Sequence, residues 1–251
     1  MKQFDKGYFK RYRIKNIFGA ESGSRPFLYS FWMRKLKKFI AKNGKVLDAG
    51  CGQGYFLRRL EKRYKTIGFD ISEDALLSAK NRTKKSTYIK SLAERLPFQN
   101  NSFSVVIAFD IIEHLEQPDK FLREAYGVLV QNGFLIISTP NPESFGCKIK
   151  LKMPEWKGLN YEKRIAEWYG WRDDTHLNIK LRSEWKKILQ KTGFRIIKDG
   201  TDTLWDVPYF KRFPYILQKI FFISLHWLLI MIFGFFPWKY GENYICIAKK
   251  V

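Results

Sequence analysis

The spacing of apolar positions changes several times along the chain, and each change marks a new element. Between residues 25 and 44, "RPFLYSFWMRKLKKFIAKNG" places Leu28, Phe31, Trp32, Leu36, Phe39 and Ile40 near one helical face, with basic residues opposite. That stripe predicts a helix packed on the domain; a basic, membrane-facing helix is the second reading. "KVLDAG" has the pattern of a short buried strand ending in glycine, "GYFLRRLEKRY" that of a helix and "KTIGFD" that of a second strand. "SEDALLSAKNR" predicts a helix with Ser72 as its N-cap and acids in its first turn. "STYIKS" and "SFSVVIAFD" follow as strands, "PDKFLREAYGVLV" as a helix and "GFLIISTP" as a fifth strand after the turn "QNG". "RSEWKKILQKTGF" has a helical period and stops at Gly193, and "FRIIKDG" and the final "NYICIAKK" fit a sixth and a seventh strand. Strands alternating with helices of about ten residues imply βαβ units and a parallel sheet covered on both faces.

Two stretches break this alternation. From 141 to 180 the chain is irregular and aromatic, with Trp156, Tyr161, Trp168, Tyr169 and Trp171; a long loop of this kind is usually a lid or a substrate pocket. "IFFISLHWLLIMIFGFFPW", residues 220 to 238, runs nineteen residues without a formal charge, the length at which an apolar run becomes a candidate span. Its flanks hold Tyr215, Lys219, Trp238, Lys239 and Tyr240, the pattern of interfacial anchors. It lies, however, between two strands expected to be neighbours in one sheet. A single crossing would leave "NYICIAKK" on the wrong side of the bilayer, and nineteen residues are too few to cross twice. An in-plane or re-entrant membrane helix, or a helix buried in an oligomer, satisfies both constraints. A true span requires the last strand to leave the sheet. The expected organisation is a basic N-terminal helical region (1–43), a core (44–200) with its aromatic loop at 141–180, a hydrophobic membrane-associating insertion (201–241) and a last core strand (242–251).

Composition adds a partner and a compartment. The chain has 251 residues, enough for one large α/β domain. Lys plus Arg outnumber Asp plus Glu by 46 to 24, a formal charge of +22. Such an excess favours an anionic partner, either nucleic acid or an acidic membrane face; a lysine-rich solvated surface produces the same number with no partner at all. Residues 1 to 45 alone hold thirteen Lys and Arg against Asp5 and Glu21. Cys51, Cys147 and Cys246 are odd in number and far apart, which argues against a disulfide framework or a structural zinc and favours a reducing compartment. The first nineteen residues lack the apolar core of a secretory signal, so the expected location is cytoplasmic.

The chemistry concentrates in "VLDAGCGQG", which sets Asp48, Gly50, Gly52 and Gly54 at the end of the first strand and the start of its helix. Ligands of doubly wound sheets bind at the carboxyl ends of strands, where glycines let the backbone approach closely. Asp70, at the end of the second strand, can accept hydrogen bonds from both hydroxyls of a ribose. The turn reads GxGxG, with Tyr55 where a dinucleotide site has its third glycine, and there is no GxxxxGK[ST]. A nucleoside without phosphates fits better than NAD or ATP.

Together with "GFDIS", "SLAERLPFQNNSFSVVIAFDIIEHL" and "NGFLIISTPN", this turn resembles the class I S-adenosylmethionine-dependent methyltransferases, nearest to the ubiquinone- and menaquinone-pathway enzymes, over residues 44 to 200 and the final strand. The resemblance implies an α/β, Rossmann-like doubly wound seven-stranded sheet, here with an apolar helical insertion between the last two strands. It implies that Asp48, Gly50, Cys51, Gly52 and Gly54 form the loop under the methionine and adenosine of S-adenosyl-L-methionine, with Asp70 on the ribose and Ile71 against the adenine. Leu92 and Ala93 would touch the adenine edge, Leu92 standing where many relatives carry an Asp for the adenine amino group. Phe109 and Asp110 would lie beside the methionine moiety. In quinone-pathway catechol O-methyltransferases a set like Asp110, Glu113 and His114 is associated with a divalent metal. Glu-His also occurs in relatives without one, so no metal ligand is assigned and a divalent ion is the lesser reading.

Methyl transfer from a sulfonium is an in-line displacement that needs alignment, desolvation and, for a protonated nucleophile, a base. His114 and His176 are the base candidates, since an ordinary imidazole is half-neutral near pH 7; a hydrogen-bonded structural role is the other reading of either. The expected function is methylation, at oxygen, of an amphiphilic quinone-, isoprenoid- or lipid-linked substrate. The enzyme would be cytoplasmic and held peripherally or monotopically on an anionic membrane surface. Two alternatives stand beside it. One is an RNA methyltransferase using the basic surface, against which there is no RNA-binding module and no (D/N)PPY motif. The other is a non-catalytic scaffold of the same fold, against which the intact loop and Asp70 count.

Overall fold

In the computed structural model, which describes residues 25–40, 42, 44–150, 175–205, 209–210 and 212–251, the apolar runs pair side by side in one sheet. Its strands are β1 (Lys45–Ala49), β2 (Lys65–Asp70), β3 (Thr87–Lys90), β4 (Phe103–Phe109), β5 (Leu129–Pro140), β6 (Phe194–Thr201) and β7 (Asn243–Lys250), in the order β3-β2-β1-β4-β5-β7-β6. All neighbours are parallel except β7, which runs antiparallel to both β5 and β6. The expected seven-stranded doubly wound sheet is present. Most of the basic N-terminal region (residues 1–24) and the five aromatic residues of the loop, Trp156, Tyr161, Trp168, Tyr169 and Trp171, lie outside the described residues.

Helices cover both faces because successive strand residues point to opposite sides. On one face Leu47, Ala49, Val106 and Ala108 meet Phe121, Leu122 and Ala125 of α4 (Pro118–Val128) and Trp185 and Leu189 of α6 (Arg182–Lys191). On the other, Val46, Val105 and Ile107 meet Trp32 and Leu36 of α1 (Arg25–Leu36), Leu57 and Leu60 of α2 (Leu57–Leu60) and Leu76 of α3 (Glu73–Arg82). The stripe predicted at 25–44 is thus turned inward, with Phe31, Trp32, Leu36 and Ile40 buried. α2 is shorter than the eleven-residue pattern predicts. Arg59 and Arg63 bond back three residues, to the carbonyls of Phe56 and Leu60, and this tightens the segment into turns. "QNG" sits inside β5, where Asn132 takes φ 65° and the pairing with β4 slips register between Phe103 and Val105. α5 (Phe145–Lys150) follows β5.

Between β6 and β7 lies α7, which runs from Tyr215 to Phe233, with a π-helical turn at Lys219–Ile223. The uncharged run 220–238 is therefore not one helix. Gly234, at φ 75°, ends it, and a Cβ there would meet the Phe31 ring at 2.2 Å. Beyond it, Phe235 turns back into the core against Trp32, and Phe236 bridges to Thr201. α7 is inverted relative to an ordinary surface helix. Gln218, His226 and Ile230 are buried and Phe222 half-buried, four or eight residues apart, while Ile216, Ile220, Phe221, Leu228 and Ile232 face outward. A four-residue repeat drifts about 40° per turn around an α-helix, and the wider π turn offsets part of that drift.

Pairing of Pro140 with Asn243 and of Thr201 with Tyr244 puts the whole 202–242 insertion at the carboxyl ends of β5 and β6. That is the edge on which doubly wound sheets carry their ligands.

Candidate active site

The glycine loop is held from both sides. Gly50, Gly52 and Gly54 all take left-handed φ angles of 62°, 51° and 74°. A Cβ on Gly50 would fall 2.6 Å from Ile111, and one on Gly54 would fall 2.8 Å from Ala79. At these positions glycine is required both by conformation and by space. Asp70 ties the loop to the second strand: one carboxylate oxygen accepts the Gly52 N–H at 2.8 Å and the other the Ser72 N–H at 2.9 Å. Each oxygen keeps a further lone pair for a ligand hydroxyl. Cys51 N–H bonds to the Phe69 carbonyl at 2.9 Å. Burial, and then the Asp48 and Asp70 charges, push its thiol well above the ordinary range, so it is a packing group, not a nucleophile.

Asp48 is buried beside this loop. Burial, with a smaller contribution from the Asp70 charge, raises its carboxyl to about 8. Burial also raises Asp70, against the pull of the backbone N–H groups of Ser72, Gly52 and Ile71. Two acids raised by burial under a glycine loop form a polar floor.

The expected adenine-side residues follow β2 and β3. Ile71 is half-buried, Ala93 is buried, and Leu92 is 52% exposed, open to contact from outside. Phe109 closes the other side, with its ring 5.6 Å from Phe56 and 5.7 Å from Trp32. Asp110 is exposed at φ 53°, an unusual angle for a residue with a side chain. It is held there by its own N–H to the Ser138 carbonyl at 2.9 Å and by the Ser138 hydroxyl at 3.3 Å. The strained turn delivers Ile111 onto Gly50.

His114 and His176, 62 positions apart in the chain, come together with ring centroids 4.8 Å apart. The 3₁₀ turn Ile112–His114 and the strand-like segment after Thr175 are joined by the Glu113 carbonyl, which accepts the N–H groups of Leu177 and Asn178, both at 2.8 Å. His114 Nδ1 faces the Thr175 carbonyl at 3.1 Å and the Thr175 hydroxyl at 2.8 Å. A carbonyl only accepts, so this geometry assigns the proton to Nδ1 and leaves Nε2 with its lone pair. Nε2 lies 4.0 Å from Glu113 Oε1. One ligand atom each from Glu113, His114 and His176 falls within 4.8 Å of the others, a donor set that suits a divalent ion. Asp110, expected in such a set, lies outside it. The same spacing also serves an imidazole–carboxylate–imidazole proton network with no ion.

Thr175, Ile111, Phe56 and Trp32 escape a reading from motifs. Thr175 precedes one of the two histidines, a weak signal. Trp32 shows only as a member of an apolar stripe, and nothing in its spacing says that it bridges Phe109 of the site to Phe235 of the insertion.

Comparison with known proteins fits this geometry. The chain is 35% identical over 101 residues to a protein of Mycobacterium tuberculosis named as a probable S-adenosylmethionine-dependent methyltransferase, covering 40% of this chain and 37% of that one. It is 32% identical over 106 residues to the mitochondrial ubiquinone biosynthesis O-methyltransferase of Candida albicans, covering 38% and 32%. The matched segment thus spans well under half the length of either relative. The crystal structure of a SAM dependent methyltransferase from Archaeoglobus fulgidus superposes with a TM-score of 0.61 at 21% identity, over 97% of this chain and all of that one, a likeness of fold. A family profile described as a methyltransferase domain matches residues 25–199, more than half of the chain, and by that match the protein belongs to the methyltransferase domain family.

Proposed function

We propose that the protein is an S-adenosylmethionine-dependent methyltransferase that lies on the cytoplasmic face of an anionic membrane and methylates, at oxygen, an amphiphilic quinone-, isoprenoid- or lipid-linked substrate. The observation that carries the membrane part is the inverted α7. A helix with Gln218 and His226 inside and Ile216, Ile220, Phe221 and Ile232 outside suits an apolar surrounding. Because α7 is pinned to the domain near its start, middle and end, it favours an in-plane arrangement over a span. It lies on the same sheet edge as the glycine loop, so a bilayer beneath it would hold its solutes next to the cofactor. Trp238 and Tyr240, both partly exposed, stand beside it as interfacial aromatics.

S-adenosylmethionine supplies an electrophilic methyl group on a sulfonium. The glycine loop and Asp70 would fix its nucleoside, and the Phe109–Phe56 wall would exclude water from the methionine side. As the acceptor oxygen bonds to the methyl carbon and the carbon–sulfur bond breaks, the acceptor's proton must leave. His114 Nε2 would take it, with Thr175 fixing the tautomer and Glu113 stabilising the imidazolium. The quinone-pathway relative supports oxygen as the acceptor.

The test is label transfer from methyl-labelled S-adenosylmethionine to membranes, extracted lipids and RNA. Label is expected in the lipid fraction, falling about 100-fold or more in His114→Gln. Label in RNA alone would transfer the reading to the nucleic-acid alternative, and none anywhere would favour the scaffold.

A further inference from the structure

A depression of about 590 Å³ opens at the opposite edge of the sheet from the glycine loop. Six cationic side chains line it: Lys42, Lys45, Lys62, Arg63, Lys65 and Lys85. Lys45 and Lys65 begin adjacent parallel strands and are register partners, so their side chains start about 5 Å apart. Like charges at that spacing repel, and a fold gains nothing from the arrangement unless something anionic occupies it.

The one acid in the wall does not neutralise them. Glu61 turns its carboxylate to the backbone, accepting N–H groups of Lys84 at 3.1 Å, Lys85 at 2.8 Å and Ser86 at 3.1 Å, and the Ser86 hydroxyl at 3.0 Å. Among the described residues none of the six cations is in an ion pair; Lys45 instead lies over the Phe103 ring, at 4.8 Å. Arg63 lies in the same wall, its guanidinium beside the Tyr64 phenol and bonded to it.

We infer that this depression binds a phosphate-bearing small molecule, with the Arg63 guanidinium and the lysines closing around the charge. The volume lies within the ordinary ligand range of about 300–1,000 Å³ and exceeds what a lone phosphate fills. A diphosphate or an organic phosphate fits better. A lipid headgroup offers the same chemistry, but the sheet separates this edge from α7 by about 16 Å, the length of β1. A bilayer under α7 leaves this edge in solution, so the ligand is soluble. The site is separate from methyl transfer and does not depend on it.

Calorimetric titration of the full chain with inorganic pyrophosphate at about 0.15 M salt tests this. Saturable one-to-one binding is expected. It should weaken about tenfold or more in Arg63→Gln and in the double variant Lys62→Glu/Lys65→Glu. The control Lys120→Glu/Arg123→Glu changes net charge by the same amount at exposed positions of α4 and should bind as the parent does. Equal weakening in that control would reduce the effect to bulk charge and overturn the site. So would the absence of saturable pyrophosphate binding, including the case where only anionic vesicles or only RNA bind. Arg63→Gln removes one charge without reversing it, so it decides the matter if a charge-reversed variant does not fold.

Discussion

Asp48 and Asp70 stand at the ends of adjacent strands, and the chemistry of the glycine loop rests on their charge. Burial raises Asp48 from 3.8 to about 8. In the unfolded chain it loses its proton near pH 4, whereas in the folded protein it keeps the proton to about pH 8. The folded state therefore binds more protons throughout that window. The Asp48 contribution to stability is full below pH 4, falls as pH rises towards 8, and is lost above it. Asp202, at the foot of the insertion, is also raised to about 8 by burial and adds to the same slope. Thermal midpoints measured from pH 5 to pH 8.5 should fall, and Asp48→Asn should remove a substantial part of the fall; midpoints that rise across this range would contradict the assignment. Position in the motif was enough to find both acids, because a strand-end acid after a glycine turn is a local pattern. Their burial was not legible, since it is set by the three-dimensional packing around the strand ends. The pairing of His114 with His176 was hidden for the same reason. Only the path of the chain between β4 and α6 sets two imidazoles 4.8 Å apart.

At the scale of elements, the strands were legible almost throughout, because most are short apolar runs and β1, β2, β4 and β5 end at or beside Gly, Asp or Pro. α7 shows what periodicity leaves out. The uncharged run begins at Ile220, but the helix begins at Tyr215, and the residue that anchors it, Gln218, lies before the run. All four hydrogen-bonding positions of its amide are used. Its oxygen accepts the N–H groups of Tyr209 and Phe210 at 2.7 and 3.0 Å, and its nitrogen donates to the carbonyls of Phe210 and Phe213 at 2.6 and 2.7 Å. No hydrophobic pattern marks such a residue. The helix also stops five residues short of the end of the run, because a left-handed φ at Gly234 is invisible to a count of apolar positions. Gln218→Leu should suit the helix by composition yet loosen its attachment. It strands the Tyr209 amide, which is buried, and costs about 2–3 kcal/mol. Hydrogen exchange at Tyr209 and Phe210 should accelerate while β1 and β4 stay protected. Unchanged exchange at those two amides would show that the latch is not needed.

At the scale of the whole molecule, the question raised by the uncharged run is how an α/β fold carries an apolar helix outside. The order of the strands supplies much of the answer. β7 returns between β5 and β6, so the insertion leaves and re-enters the sheet at one edge, as the sequence led one to expect from two strands that had to pair. What could not be foreseen was the inversion of α7, because which face of an all-apolar helix is covered is settled by its neighbours. On the membrane reading, the net charge of +22 and the outward face of α7 would give two separable forces, the first screened by salt and the second not. In flotation assays the protein should rise with anionic vesicles at low salt and less so with neutral ones. Raising salt to about 1 M shortens the screening length to about 3 Å and should remove the preference for anionic lipid while leaving part of the binding. The remainder belongs to α7. Ile220, Phe221 and Ile232 are 59%, 61% and 55% exposed, and each would contribute about 1–2 kcal/mol on entering lipid. Replacing all three by Gln should weaken partitioning about 100-fold or more and abolish methylation of bilayer-borne substrate, while cofactor binding stays intact. If the triple variant floats as well as the parent, the outward face of α7 is covered by protein instead, and the membrane reading fails with it.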